Sequence, residues 1–259
     1  MRNKVLNLAS DIADIISKWD GIEAILLGEA ADIGIYDPYF SIDLEVFYRG
    51  SIPPRNDRRD YFLSVEDSGG FECSPVYPID RFLVGELPIR IHYQETARTE
   101  LILDRIERGK WIYRENGTTE FYTIMNSEVL FKASEWLERV RERLSKMPDS
   151  FWSQIVEVAK CGMTNYLNDI GAAAYRRDDL FFLMASSNFV KSLVCFLFAQ
   201  NREFLPSGRM IFSRLYKLKK LPEGFKGRFE NLLRSDGSLD VEKKREIAEL
   251  LVRSIIDWV

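Results

Sequence analysis

Residues 22–28, IEAILLG, and residues 41–48, SIDLEVFY, decide the fold. The first is an almost wholly apolar run stopped at Gly28 and reads as a short buried strand. The second alternates, so Asp43 and Glu45 share one face of a strand while Leu44 and Val46 point into the core. Two carboxylates on one face repel, and in an ordinary protein that costs stability. A divalent cation between them reverses the sign. Magnesium takes hard oxygen ligands from one or two carboxylates together with substrate phosphates. Two such ions can clamp the attacking and leaving oxygens of a phosphoryl or nucleotidyl transfer. Gly28 meets a second need, because a strand ending at glycine can turn sharply and bring backbone N–H groups close to a polyphosphate. The plain alternative is a half-exposed strand carrying solvated acids.

Around these strands, Val5, Leu8, Ile12, Ile15, Ile16 and Trp19 follow helical spacing, so the chain opens with an amphipathic helix ended near Gly21. Residues 51–59, SIPPRNDRR, read as a polar, proline-rich excursion. GGFECSPVYPI is an extended run that Pro75 and Pro78 confine to an edge. LPIRIHYQE reads as a further strand, followed by a helix from about Ala97 to Arg108. From about Ser127 the pattern is helical to the end, starting with EVLFKASEWLERVRERLSKM. The expectation is an α+β domain over 1–125, a mixed sheet with flanking helices, followed by an all-helical bundle over 126–259.

Composition narrows the chemistry. The 259 residues carry a net charge of −4, which argues against general affinity for nucleic acid. The charge is uneven: residues 1–100 hold 10 basic and 18 acidic side chains, and the rest hold 26 and 22. His92 is the single histidine. That removes His-rich zinc sites and any two-His relay, and leaves Ser-His-Asp chemistry only if His92 is the base. Cys73, Cys161 and Cys195 form no Cys-x-x-Cys pair. With an N-terminus that resembles no signal peptide, they read as reduced thiols of a cytoplasmic protein. Leu180–Ala199 approaches the length of a membrane span, but Asn188 and Lys191 in its middle favour a buried core helix and no membrane partner. Arg176, Arg177, Asp178 and Asp179 read as a helix start or as a cluster facing an active cleft. Lys217, Lys219 and Lys220 read as a helix edge rather than a nucleic-acid contact. The C-terminal helix suits core docking or a dimer contact, so a monomer and a homodimer are both expected.

Leu27-Gly28, a spacer, then Asp43-Leu44-Glu45-Val46 resembles the signature of the DNA polymerase β-type nucleotidyltransferase superfamily. Phe71-Glu72-Cys73 has the form of that superfamily's third carboxylate, which is flanked by apolar residues on a later strand. The order of the two halves is similar to two-domain members such as kanamycin nucleotidyltransferase. The stretch 171–209 further resembles an uncharacterised bacterial family of this class. The resemblance implies that Asp43 and Glu45 hold two Mg²⁺ ions and that Glu72 completes the catalytic metal. Gly28 and Glu29 would form the turn that holds the tail phosphates of an NTP such as ATP. A nucleoside monophosphate would pass to a hydroxyl of a small molecule or a protein, with pyrophosphate released. Glu95 is the runner-up for the third ligand, with Asp80 and Glu86 nearby. A second register puts Ser41 in the first acidic slot and Asp43 in the second. Glu29 stands where such proteins usually carry Ser, and a carboxylate there repels phosphate. That departure motivates the alternative, a catalytically silent nucleotide-binding or interaction module.

Overall fold

The apolar run at 22–27 becomes the most buried strand of a six-stranded sheet, with all six of its residues inside. The computed structural model describes residues 2–28, 39–113, 117–234 and 239–256. They form two units, residues 1–111 with 119–147, and residues 112–118 with 148–259.

The first unit begins with α1 (Arg2–Ile16), whose stripe of Val5, Ala9, Ile12 and Ile16 is fully buried. Burying each of the Val and Ile side chains contributes on the order of 1.5–3 kcal/mol. Gly21 makes the turn into the sheet at φ +78°, where an added Cβ would meet the Arg49 carbonyl oxygen at 2.3 Å. The strands are β1 (Ile22–Leu27), β2 (Ile42–Tyr48), β3 (Ser68–Cys73), β4 (Ile79–Val84), β5 (Leu87–Glu95) and β6 (Glu128–Lys132). Their order is β3-β4-β5-β2-β1-β6. Among the described residues only β2 and β5 pair in parallel, and every other pairing is antiparallel. One face packs Ile25, Leu27, Leu44, Val46, Ile89 and Ile91 with α1 and with Phe62 of α2 (Arg55–Leu63). On the other face Phe47 packs against Trp136, ring centroids 5.1 Å apart.

Three expectations are corrected here. The excursion at 51–59 contains the start of α2, a helix anchored by buried Phe62 and Arg58. The residues at 79–84 form β4, an additional strand. The segment EVLFK begins no helix: it is β6, bonded to the free edge of β1. The helix starts later, where the Ser134 hydroxyl accepts from the Trp136 N–H at 3.1 Å. The first unit therefore runs to residue 147 rather than 125, because β6 completes its sheet. The remaining helices of this unit are α3 (Thr96–Glu107), α4 (Thr119–Asn126) and α5 (Trp136–Ser145).

The second unit is helical, as expected. Its frame is a hairpin of α6 (Asp149–Arg176) and α7 (Asp179–Gln200). Gly162 permits their close approach, since a Cβ there would stand 2.6 Å from Ser192 Oγ. Between them Arg177 adopts φ 55°, and the Asp178 carboxylate caps α7 by accepting from the Phe181 N–H at 2.9 Å. The Arg176–Asp179 cluster thus makes a helix boundary. Then follow α8 (Ile211–Leu215), α9 (Phe225–Leu233) and α10 (Val241–Ile256). Among the described residues α7 is the one helix long and apolar enough to cross a membrane. Its second half, Leu193–Ala199, is buried within the unit, while Leu180 and Leu183 are about two-thirds exposed.

Candidate functional site

Parallel pairing of β2 with β5 sets the site. Asp43 lies opposite Arg90, Glu45 opposite His92, and Phe47 opposite Gln94. Alternation sends these six side chains to the sheet face away from α1. Arg90 grips Asp43 with two parallel bonds, Nε to Oδ1 at 2.6 Å and a terminal nitrogen to Oδ2 at 2.8 Å. The Ser41 hydroxyl donates to the same Oδ1 at 2.9 Å. Both oxygens of Asp43 are therefore engaged, in the fork geometry that suits arginine to a carboxylate.

Glu45 sits deeper. Burial pushes its pKa up to about 8; the Gln94 amide opposes this, and the charges of Asp43 and Glu120 add to it. That environment favours its protonated form. Gln94 Nε2 donates to Glu45 Oε2 at 3.1 Å. Gln94 Oε1 is buried and has no partner among the described residues. Glu120, on α4, accepts from the Thr99 hydroxyl at 3.1 Å, and burial raises its pKa against the pull of Arg98 and Thr99. Burial likewise lowers the pKa of His92, with Arg90 and Arg81 adding to the effect and Asp43 opposing it.

The other expected residues do not join this group. Glu72 pairs with Arg81, Arg81 with Arg90, and Arg90 with Asp43, one residue per strand. At ~4.8 Å per strand Glu72 stands ~14 Å from Asp43, whereas carboxylates sharing a magnesium ion hold oxygens ~2 Å from it. Glu95 is fixed by parity: it follows Gln94 and points to the opposite face. Asp80, fully buried, accepts from Arg58 at 2.6 and 3.1 Å and from the Tyr93 hydroxyl at 2.9 Å. Gly28 donates its own N–H to the Asp43 carbonyl at 2.7 Å, so that group is spent within the sheet. Its lack of a side chain serves strand packing, since a Cβ would meet both Asp43 Cβ and O at 3.0 Å. The glycine thus abuts Asp43, whose neighbour toward the strand start on that face is Ser41; Glu45 lies farther along. Glu29 lies outside the described residues.

Asp43 is held by the Arg90 guanidinium, and the β5 positions facing Asp43 and Glu45 are Arg90 and His92. Among the described residues no three His, Cys, Asp or Glu side chains are grouped to share a metal ion. Sequence reasoning missed Arg90, Gln94 and Glu120. The alternation in LPIRIHYQE does place Arg90, His92 and Gln94 on one face, but the strand that face adjoins is set by a pairing across 47 positions.

Residues 113–209 match a family described as "Domain of unknown function (DUF4037)". No curated protein matches the sequence. Among solved structures, the chain is similar to a nucleotidyltransferase-like protein from Exiguobacterium sibiricum 255-15. The two share 12% identity over 97% of this chain and 74% of that one, with a TM-score of 0.44. Likeness at that level carries no residue role across.

Proposed function

We propose that the sheet unit is a binding module of nucleotidyltransferase type in which Arg90 stands where a metal-bound site would need a cation, and that it does not transfer nucleotides. The observation that carries this is the Asp43–Arg90 fork. A guanidinium that holds both Asp43 oxygens competes with Mg²⁺ for that carboxylate. The metal-dependent transfer implied by the sequence resemblance would need Arg90 to release Asp43 and Glu45 to lose its proton.

The test is thermal unfolding of the full chain with ATP, in Mg²⁺ and in EDTA, beside an assay for label passing from ATP to protein or to small hydroxylated acceptors. Ligand binding to the native state raises the unfolding midpoint by mass action. The expected result is a midpoint that ATP raises equally in Mg²⁺ and in EDTA, with no transferred label; a midpoint that ATP does not move would overturn the binding reading. Transfer that requires Mg²⁺ and disappears in Asp43→Asn would overturn the proposal and restore the enzymatic reading.

A further inference from the structure

The helical unit carries a groove that the sheet site does not use. Phe182, Leu183 and Val190 of α7 form one wall, and Leu232, Leu233 and Val241, from the end of α9 and the start of α10, form the other. Its volume is about 560 Å³, within the range of small-molecule sites, which are mostly apolar with a few placed polar groups. The polar groups here are specific. Ser186 Oγ, on a groove-lining residue, is buried and has no hydrogen-bond partner among the described residues. Three cations, Lys191, Arg234 and Lys244, line the groove against one acid, Asp179. Two of them are tied together where α9 gives way to α10, the Lys244 ammonium donating to the Arg234 carbonyl oxygen at 2.5 Å. Along the apolar wall Leu183 is 67% exposed and Leu233 45%, surface that an apolar occupant would remove from water.

We propose that this groove binds a single-chain amphiphilic carboxylate, its alkyl chain between α7 and α9 and its carboxylate at Arg234 and Lys244. The lining selects each half of such a molecule. The concave apolar wall takes a flexible chain, and the neighbouring cations Arg234 and Lys244 take one anionic head. A second copy of this chain or a flat membrane surface would cover the exposed leucines without matching that charge to a single point.

The probe is decanoate, titrated calorimetrically into the full chain, with octanoate and decanol as comparisons. Decanoate should bind saturably at one site. Octanoate, two methylenes shorter, should bind about tenfold more weakly. Decanol, lacking the charge, should lose about fivefold. Ser187 is an exposed residue lining the groove, and Ser187→Trp fills it; binding should vanish while the unfolding midpoint holds. Arg234→Gln, at the surface, should weaken decanoate about fivefold and leave decanol unchanged. The proposal fails if decanoate does not saturate, if decanol matches it, or if both variants bind like the parent. It fails equally if Ser187→Trp instead abolishes a concentration-dependent dimer or binding to phospholipid vesicles, because the groove then belongs to that occupant.

Discussion

Asp80 and Asp43 each take two nitrogens of one arginine, on opposite faces of one sheet, and their surroundings differ sharply. The Asp80–Arg58 pair is enclosed. Asp80 has no exposed surface and Arg58 almost none; the Tyr93 hydroxyl donates to Asp80, and Arg58 donates on to the Pro53 carbonyl at 2.6 Å and lies 5.3 Å above the Tyr93 ring. The Asp43–Arg90 pair keeps about a quarter of Asp43 and over a third of Arg90 in water, with Ser41 as its only further hydrogen-bond partner among the described residues. One bonding pattern therefore serves two ends. Water cannot replace a partner inside the first pair, so that pair locks α2 to the sheet. Water can replace a partner in the second, so that pair can exchange with a ligand.

The largest expected effect tests the enclosed pair. Arg58→Met leaves the Asp80 carboxylate buried without a cation, and urea unfolding should show a loss of about 3–5 kcal/mol. Arg58→Met combined with Asp80→Leu removes both charges and should recover most of that loss. A single variant that loses no more than a surface substitution would end the distinction between the two pairs.

Glu45 is next, because it is half-buried beside the open pair and forms no ion pair among the described residues. Its folded pKa, about 8, lies above the ordinary 4.5. In the native state it keeps a proton that the unfolded chain releases, so its contribution is fully present below about pH 4.5 and is lost as pH rises through 8. Glu45→Gln keeps the shape without the titration. The variant should match the parent at pH 4 and exceed it at pH 9 by on the order of 3 kcal/mol. Parallel stability curves for the two proteins would mean that Glu45 is ionised in the fold.

The contrast between the pairs also marks what was legible in the sequence. Alternation in SIDLEVFY and the apolar run before Gly28 located β1 and β2 within a residue or so, because burial on a strand writes a period into the residues themselves. The same logic misread EVLFK, whose five residues suit a strand edge or a helix start equally. Pairing with β1, more than a hundred positions away, chose the strand. The helix at 55–63 was hidden because its buried anchors are only Phe62 and Arg58, and Arg58 is an arginine whose burial depends on Asp80 of a distant strand. The carboxylates Asp43 and Glu45 were visible as a pair on one face. Their meaning depended on Arg90, Gln94 and Glu120, which reach them through tertiary pairing that no local pattern encodes. Glu72 was chosen for its apolar neighbours, and the register of three intervening pairings sets it far across the sheet.

Removing the open pair's cation should have a modest effect on stability and an informative one on metal binding. Arg90→Ala should lose about 1 kcal/mol, as half-exposed ion pairs do. Arg90→Asp places a carboxylate opposite Asp43 and beside Glu45, a donor set suited to a hard cation. Millimolar Mg²⁺ should then stabilise that variant by about 1 kcal/mol and leave the parent unmoved. A parent protein that responds to Mg²⁺ as strongly would show that Arg90 does not occupy the cation's place.

The smallest expected effect concerns Ser41. Its hydroxyl and the Arg90 Nε share one oxygen of Asp43, at 2.9 and 2.6 Å. Each donor draws charge from that oxygen and weakens it as an acceptor for the other. Ser41→Ala alone should lose only about 0.5 kcal/mol, since the guanidinium remains and water can enter. In the Arg90→Ala background the hydroxyl is the nearest donor left to a bare carboxylate, and the same substitution should cost about 1 kcal/mol. A double-mutant cycle by urea unfolding reads the difference directly. Additive losses would mean that Ser41 and Arg90 act on Asp43 independently, and that the open pair is held by the fork alone.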